Sequence, residues 1–521
     1  MTDAVEKVFF GWSTKNLKTA DALRARRPED PHRFIGKRPP AFVLAPEYLA
    51  AGAVPKKRLS RDFRCLSIFD FFDSIDPQRT FAPSAFEADC TCRFPLPFQS
   101  QNDRFCNLRL GRALRGATME DMKVTAGGYD FGAAHSAMRR YVDGNILSGV
   151  SSAILVGRNL VDVHCVGWAD KEAQTPLRVD HIFRAFSNTK LITSCAALLL
   201  FEEGRFQLDD PIERFVPQLG DRHVLRPGAT SLDETEPANR SITIRHLMSH
   251  SSGLSYGIFG PTTVIAEAYI ELKVLNPATR LADMVDVLAE LPLVYHPGTS
   301  WEYSVATDVL ARLVEVVSGQ QFDSFIQSRI LDPLGMVDTG FVVPEKDRSR
   351  LAAYYTGADM MEPMKPGLTR IDDSPYPGAY LRPVPRLSGG GGLVSTLPDM
   401  VALVRSLLPG GPTLLKPDTI ELMMTNQLPE GVPIHFRPFV EELHGRGYGL
   451  ASAVILESSA GDHKDSTGEL FWGGVAGTQW WISPKANVAG LMMTQRQMAF
   501  LHPFVFEFKR LAYEAVKNVA A

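Results

Sequence analysis

The sequence predicts an α/β fold, an antiparallel sheet flanked by helices with an inserted helical domain. Strand patterns occur near both ends of the region beyond residue 125, and helical patterns broken by Pro and Gly loops fill its middle. The chain has 521 residues, 45% hydrophobic and 22% charged, which is enough to bury a large core. A sheet assembled from the two ends of this region, with helices inserted between them, is the simplest architecture that agrees with this order.

The first part of the predicted sheet is a hairpin. Strand patterns run over Ser151–Gly157 and Leu160–Gly167, and a Gly-Arg-Asn turn joins them. A helix is predicted before the hairpin, over Tyr129–Val142, and another after it, over Asn188–Glu203, where apolar positions share one face. Gly204 is a typical residue to end this second helix.

The remaining elements are predicted from the same signals. The middle of the chain has three helical patterns, over Ile244–Ser249, Leu281–Leu291 and Thr307–Val317. After a glycine-rich stretch come a helix, four β-rich runs and a last amphipathic helix, over Leu397–Leu408, Tyr448–Leu456, Glu469–Trp472, Thr478–Ile482, Val488–Met493 and Leu501–Val519.

The composition divides the chain into four stretches. We predict an N-terminal extension of unknown role at 1–118, the first part of the α/β domain at 119–215, a helical domain at 216–385 and the second part of the α/β domain at 386–521. Residues 1–118 hold 20 Lys and Arg against 13 Asp and Glu and show no sustained period. They form a poorly ordered extension, a strap on the main body, or sequence upstream of a natural start at Met119 or Met122; the sequence leaves these alternatives open.

Charge and composition exclude several classes of function. A net charge of -4 gives no reason to expect nucleic acid or an anionic membrane as partner. The N-terminus lacks a secretory pattern and no run is long enough to span a membrane, so we expect a cytoplasmic protein. The six cysteines lack zinc-site spacing and are expected to be reduced thiols, and His246 and His250 lack a third ligand, which favours packing or helix-end hydrogen bonds. We therefore expect no metal and no cofactor, and leave the oligomeric state open.

Ser187-Asn-Thr-Lys190 is a candidate catalytic unit. Residues i and i+3 lie on one helical face, so the lysine ammonium can come within hydrogen-bond reach of the serine hydroxyl. Ser187 stands where the predicted helix begins, and a helix N-terminus favours a developing anion. The apolar run Ile182-Phe-Arg-Ala-Phe186 and the apolar helix behind it are expected to bury Lys190. The alternative is a helix N-terminal serine with a solvated lysine.

Two further segments complete an acyl-transfer set. Tyr303 lies at a loop-to-helix boundary, in the run His296-Pro-Gly-Thr-Ser-Trp-Glu-Tyr-Ser304. Trp472-Gly473-Gly474 is a strand that loses its side chains where a substrate could approach the backbone. The alternatives are a core phenol for Tyr303 and a β-bulge for the glycines.

In these motifs and their order the sequence resembles the serine β-lactamase-like and penicillin-binding fold family, and is most similar to family VIII carboxylesterases. The resemblance covers about residues 125–515. Beyond the motifs above, it is carried by Leu208-Asp-Asp-Pro-Ile212, Thr243-Ile-Arg-His-Leu-Met-Ser-His-Ser-Ser-Gly-Leu254, Pro297-Gly-Thr-Ser-Trp-Glu-Tyr-Ser304 and Ser388-Gly-Gly-Gly-Gly-Leu-Val-Ser-Thr396.

The resemblance implies a role for each matching residue. Ser187 is then the nucleophile, and Lys190 and Tyr303 form the proton-transfer pair. The backbone N–H groups of Ser187 and Val475 form the oxyanion hole, and the strand at Trp472-Gly473-Gly474 is one wall of the site. The implied function is a serine hydrolase that works through an acyl-enzyme, with the site in a cleft between the α/β and helical domains.

Two departures from the family pattern narrow the substrate. β-Lactamases of this branch have Asn and Lys where this chain has Val305 and Trp472, and those residues serve an amide side chain and a carboxylate. A neutral small-molecule ester therefore fits better, bound in an apolar pocket by Phe186, Tyr256, Trp472 and Trp480. The alternatives are a β-lactamase, amidase or acyltransferase on the same site, or a non-catalytic scaffold or binding protein of the same fold.

A second serine motif competes with the first. Gly253-Leu-Ser255-Tyr-Gly257 matches the Gly-x-Ser-x-Gly pattern of α/β-hydrolases, in which the serine stands on a strand-to-helix elbow. Here the motif follows a short helix and runs into a loop, so we prefer Ser187 over Ser255 as the nucleophile.

Overall fold

A computed structural model describes residues 124–125, 127–259, 263–359, 362–436, 440–459 and 462–520. The predicted extension at 1–118, the alternative starts at Met119 and Met122, and four of the six cysteines lie outside the described residues. The other two, Cys165 and Cys195, take part in no disulfide among the described residues.

The helices and strands of the described residues are numbered in chain order. The helices are α1 (Gly132–Asp143), α2 (Thr189–Glu202), α3 (Ile244–Met248), α4 (Val264–Glu271), α5 (Leu281–Ala289), α6 (Ala306–Ser318), α7 (Phe322–Ile326), α8 (Asp332–Leu334), α9 (Leu397–Arg405), α10 (Pro417–Met424) and α11 (Pro503–Ala520). The strands are β1 (Gly149–Val156), β2 (Asn159–Asp170), β3 (Thr175–Pro176), β4 (Ile182–Arg184), β5 (His223–Leu225), β6 (Thr235–Pro237), β7 (Tyr355–Gly357), β8 (Leu368–Arg370), β9 (Val394–Thr396), β10 (Ile434–Phe436), β11 (Val440–Leu443), β12 (Arg446–Tyr448), β13 (Ala453–Ile455), β14 (Leu470–Gly473), β15 (Gln479–Ser483) and β16 (Val488–Met493).

The central sheet has eight strands in the order β12-β13-β14-β15-β16-β1-β2-β3. All of its neighbours are antiparallel, which confirms the predicted fold class. The two ends of the described chain meet where β1 pairs with β16, from Ser151 opposite Met493 to Val156 opposite Val488. The sheet therefore closes only when segments more than 300 residues apart come together.

The two faces of the sheet bury different helices. Successive side chains of a strand point to opposite faces. Trp480 accordingly lies in the large core with α2, α6 and α9, whereas Trp481 lies in a smaller core with α1 and α11. Both faces are covered, so the strands that meet in the middle of the sheet are almost entirely buried.

Most predicted elements lie within a few residues of the observed ones. The predicted β-rich run Tyr448–Leu456 holds parts of two short strands, because the chain reverses between β12 and β13. Gly449 N–H donates to the Ser452 carbonyl at this reversal, and an added Cβ on Gly449 would lie 2.1 Å from the Met423 carbonyl oxygen. The predicted domain boundaries remain predictions.

One short pairing positions the site. β4 pairs with β9 antiparallel, Ile182 opposite Thr396 and Arg184 opposite Val394. β4 leads directly to α2, and β9 follows the glycine-rich stretch 388–392. The pairing therefore holds that stretch beside the first turn of α2. No helix of the described residues combines the length and the apolar character needed to cross a membrane.

Candidate active site

Ser187 lies in a single 3₁₀ turn, Phe186–Asn188, that leads into α2. The backbone of Phe186 has a φ of 43°, in the left-handed region that non-glycine residues rarely adopt. Such a conformation costs on the order of 1–3 kcal/mol and persists where its surroundings enforce it. The Phe186 ring packs against Tyr354 and Tyr380, with centroids 5.5 and 6.0 Å away.

Lys190 is buried on the first turn of α2, with 1% of its surface exposed. Its Nζ donates to the Gly390 carbonyl at 2.6 Å and lies 3.5 Å from Ser187 Oγ. The same atom lies 4.6 Å from the ring centroid of Tyr303 and 5.6 Å from that of Tyr256. The sequence-based expectation of a buried lysine facing Ser187 agrees with this placement.

Tyr303 comes from the helical region and completes the cluster. Its hydroxyl donates to Ser187 Oγ at 2.7 Å. Tyr256 stacks on the Tyr303 ring, with centroids 5.6 Å apart and planes 6° apart. The structure thus brings together three residues predicted from two separate motifs, and the arrangement can move the Ser187 proton to a neighbouring oxygen or nitrogen.

His250 supports Tyr303 from behind. The His250 ring lies 5.0 Å from the Tyr303 ring, and its Nδ1 is 3.0 Å from Ser304 Oγ. Burial and the nearby Lys190 charge hold the pKa of His250 well below its usual range, so the ring stays neutral. His246 caps α3 instead, where its Nδ1 accepts from the Thr243 N–H. This agrees with the expected packing and helix-end roles of the two histidines.

The turn between β14 and β15 lies against the approach to Ser187. Gly474 N–H donates to Thr478 at 2.6 Å, and Thr478 Oγ1 donates to the Ala185 carbonyl at 3.0 Å. A Cβ on Gly474 would lie 2.5 Å from that carbonyl oxygen. Only glycine fits here, and Val475, the next residue, is carried into the same turn.

The aromatic residues predicted to bind substrate have unequal surroundings. Trp472 has its ring centroid 5.5 Å from that of Tyr303. Trp480, opposite it on β15, is 1% exposed and lies in the core. Gly473 faces the Gln479 side chain, which a Cβ would meet at 2.1 Å. A role for Trp480 in substrate binding stays a prediction, and its burial does not favour it.

A cavity of about 420 Å³ opens beside Tyr303. Its walls come from the loop after β5, the start of α4 and strand β10, parts of the fold that no sequence motif marked as a site. Tyr256 lines this cavity together with Val264, Ile265, Glu302 and Phe436, and its role in substrate binding stays a prediction.

Ser255 also lines this cavity, but its surroundings differ from those of Ser187. Its Oγ donates to Glu302 Oε1 at 3.1 Å, and its N–H donates to the Tyr269 hydroxyl. The Glu302 carboxylate can accept the hydroxyl proton of Ser255. The Ser255 side chain is almost fully buried, however, which leaves little room for a substrate carbonyl to reach its Oγ. Across the described residues no three His, Cys, Asp or Glu side chains are arranged to hold a metal.

The fold and this site define a class of protein, the serine hydrolases with a β-lactamase-like fold. The family model described as Beta-lactamase matches residues 135–512. The chain therefore belongs to the β-lactamase family.

Named relatives narrow the activity. The chain is 33% identical over 368 residues to Protein Rv1367c of Mycobacterium tuberculosis, covering 69% of this chain and 88% of that one. It is 33% identical to a lovastatin esterase of Penicillium rubens (61% and 80% covered) and 30% identical to a monacolin J acid methylbutanoyltransferase of Aspergillus terreus (61% and 78%). A solved structure of simvastatin synthase from Aspergillus terreus, the LovD6 mutant, aligns with a TM-score of 0.62 at 26% identity, covering 74% of this chain and 95% of that one. The chain is a serine hydrolase with esterase or acyltransferase activity.

Proposed function

We propose that the protein is a carboxylesterase of the family VIII type, which cleaves neutral carboxylic esters through an acyl-enzyme on Ser187. The observation that carries the proposal is the hydrogen bond of 2.7 Å between the Tyr303 hydroxyl and Ser187 Oγ, with Lys190 Nζ 3.5 Å from the same oxygen. A serine hydroxyl is a weak nucleophile until a neighbouring group takes its proton.

Acylation begins when Ser187 Oγ attacks the ester carbonyl carbon. The hydroxyl proton passes to the Tyr303/Lys190 pair as the Oγ–carbon bond forms. Collapse of the tetrahedral intermediate breaks the bond to the alkoxy oxygen, and the pair returns the proton to the leaving alcohol. Water then attacks the acyl-enzyme by the same steps in reverse and releases the carboxylic acid.

The N–H groups of Ser187 and Val475 are the proposed oxyanion hole. Two observations support this assignment: Ser187 begins a helix, and the Gly474 turn that carries Val475 lies against Ala185, two residues before Ser187. Loss of one such donor typically costs about 2.7–4 kcal/mol of transition-state stabilisation.

The preference for neutral esters rests on two residues. Trp472 presents an aromatic ring beside Tyr303, and Val305 is buried at the start of α6, where it donates its N–H to the Ser255 carbonyl. Val305 has no polar group to bond a substrate amide, and Trp472 has no charge to pair with a substrate carboxylate. We propose that Phe186, Tyr256 and Trp472 contact the substrate, a small uncharged ester, and that the enzyme is cytoplasmic.

Acyl transfer to an acceptor other than water is the second candidate. The resemblance to a methylbutanoyltransferase favours it, and the same acyl-enzyme serves both reactions. The cavity beside Tyr303 has room for a bulky alcohol as acceptor. Added alcohols should then give ester products at the expense of hydrolysis.

One set of variants tests the nucleophile. Ser187→Ala should abolish hydrolysis of nitrophenyl esters and labelling by a fluorophosphonate, whereas Ser255→Ala should keep most of both. Mass spectrometry of the labelled peptide locates the modified serine. The reverse pattern would overturn the assignment, and no labelling of the wild type would favour a non-catalytic protein.

A substrate panel tests the ester preference. The wild type should hydrolyse nitrophenyl esters far faster than a chromogenic cephalosporin. Turnover of the lactam at ester-like rates would make the protein a β-lactamase instead.

A further inference from the structure

Asp308 is a buried carboxylate close to the site that the mechanism above does not use. It lies in the first turn of α6 and is 0% exposed. Its Oδ1 accepts from Ser388 Oγ at 2.6 Å and lies 3.3 Å from Arg386 Nη2. Its Oδ2 has no hydrogen-bond partner among the described residues. An unpaired buried carboxylate oxygen is costly, so its position needs a physical reason.

Gly390 stands between this oxygen and Lys190. A Cβ built on Gly390 would lie 2.6 Å from Asp308 Oδ2 and 3.4 Å from Lys190 Nζ. Asp308 Oδ2 and Lys190 Nζ therefore lie at most about 6.0 Å apart, since both distances are measured from the same point. The Gly390 carbonyl also accepts the 2.6 Å hydrogen bond from Lys190. The absence of a side chain at residue 390 lets the carboxylate and the ammonium approach each other.

Lys190 has no direct ion-pair partner among the described residues. The titratable groups around it are Tyr303, Tyr256 and His250, and the Asp308/Arg386 pair lies behind Gly390. The Ser187 hydroxyl lies beside it as well. The field of Asp308 reaches this site. Burial raises the pKa of Tyr256 well above its usual range, and the Asp308 charge raises it further.

We propose that Asp308 is a positioning residue of the active site: through its Oδ2, across Gly390, it compensates the buried charge of Lys190. This inference rests on the proposed function. Lys190 Nζ lies between Gly390 O and Ser187 Oγ, and the proton that leaves Ser187 Oγ on acylation passes to the Tyr303/Lys190 pair and from there to the leaving alcohol. Ser388 and Arg386 hold the other oxygen of Asp308, which aims Oδ2 at the site.

Asp308→Asn tests the proposal, because it keeps the shape of the side chain and removes the charge. The kcat for a nitrophenyl ester should fall about tenfold or more with little change in KM. The alkaline limb of the kcat/KM profile, measured over about pH 6 to 10, should move to lower pH, because the loss of a buried negative charge disfavours positive charge beside it. An unchanged profile would overturn the proposal.

The double variant Asp308→Asn with Arg386→Gln separates this role from a merely structural one. If Asp308 only balances Arg386, removing both charges restores the wild-type profile, and the proposal is wrong. If Asp308 acts on Lys190, the double variant keeps the shifted alkaline limb, while Arg386→Gln alone does not show it.

Two controls keep the test decisive. If Asp308→Asn does not fold, Ser388→Ala replaces it, because this variant removes one hydrogen bond to Asp308 Oδ1. It should shift the alkaline limb of the kcat/KM profile in the same direction but by less. An unshifted alkaline limb would count against the proposal. Fluorophosphonate labelling of the wild type, lost in Ser187→Ala, shows that the proposed function itself holds. Wild-type protein without Ser187-dependent hydrolysis would overturn that function, and with it this inference, before any Asp308 variant is compared.

Discussion

The hydroxyl of Tyr303 lies 2.7 Å from Ser187 Oγ, although 116 residues separate them in the chain. Ser187 is fixed at the start of α2, and Tyr303 lies just before α6, which packs against α2. The packing of these two helices therefore sets the distance between nucleophile and phenol. Ring contacts to Tyr256, His250 and Trp472 hold the phenol in place.

Tyr303→Phe should lower kcat/KM for nitrophenyl esters by about 10²–10⁴, because general acid–base groups typically contribute that factor. Tyr256→Phe is the comparison variant: it removes the hydroxyl of the stacked ring, which is proposed to contact substrate but not to transfer the proton, so it should affect KM more than kcat. Steady-state kinetics on both variants measure the difference. Equal losses in the two variants would contradict a proton-transfer role for Tyr303.

Gly474→Ala should damage both folding and activity. The added methyl would meet the Ala185 carbonyl oxygen at 2.5 Å and Thr478 Oγ1 at 2.4 Å, so the turn must shift at a cost of about 1–3 kcal/mol. Displacement of the Val475 N–H should lower kcat about 10²–10³-fold. Gly340→Ala is the control, since nothing lies within 4 Å of its Cβ. Urea unfolding should show a lower free energy of unfolding, and ester kinetics a lower kcat, for Gly474→Ala alone. A folded Gly474→Ala protein with the wild-type kcat would argue against Val475 as an oxyanion-hole donor.

Val264→Phe should narrow the cavity beside Tyr303, because Val264 begins α4 and lines its wall. The KM for a bulky ester should rise about tenfold or more, while that for an acetate ester should change little. Val316→Phe places the same ring on an exposed position of α6 and serves as control. A parallel rise for both esters would mean that the cavity does not bind the bulky group.

Asp399→Asn should change how stability depends on pH. Asp399 lies in the first turn of α9, where burial raises its pKa from 3.8 to about 7. The folded state therefore holds a proton that the unfolded state has lost between about pH 4 and 7, so wild-type stability falls as pH rises through this window. The slope reaches at most about 1.4 kcal/mol per pH unit for one proton.

The asparagine variant lacks this titration but keeps an oxygen that can accept from Thr339 Oγ1, which lies 2.7 Å from Asp399 Oδ2. Urea unfolding should be measured at about pH 5 and about pH 8. The free energy of unfolding of the variant, relative to that of the wild type, should be higher at about pH 8 than at about pH 5. Asp418→Asn is the control, because it changes an exposed acid in the first turn of α10. Its unfolding free energy should differ from that of the wild type by the same amount at both pH values. A wild-type curve that is flat over this range would contradict the raised pKa.

Local patterns determined much of the fold. Strands β1, β2 and β16 and helices α2 and α6 were predicted to within a few residues of their ends. The strands are short apolar runs bounded by turns, and a glycine follows each of the two helices. The pairs β4–β9 and β5–β6 were missed, because strands of three residues carry no measurable alternation. The reversal between β12 and β13 was missed because its apolar residues read as one run.

The sequence by itself determined the residue types of the site, Ser187 with Lys190 one helical turn on, and Tyr303 in its own motif, because spacing along a helix is a local property. Only the tertiary structure decided what surrounds them. Gly390 supplies the acceptor for Lys190, Asp308 faces it from α6, and the cavity wall comes from α4 and β10. These groups act through space, and helix packing and the β4–β9 pairing, which no local pattern encodes, set their distances.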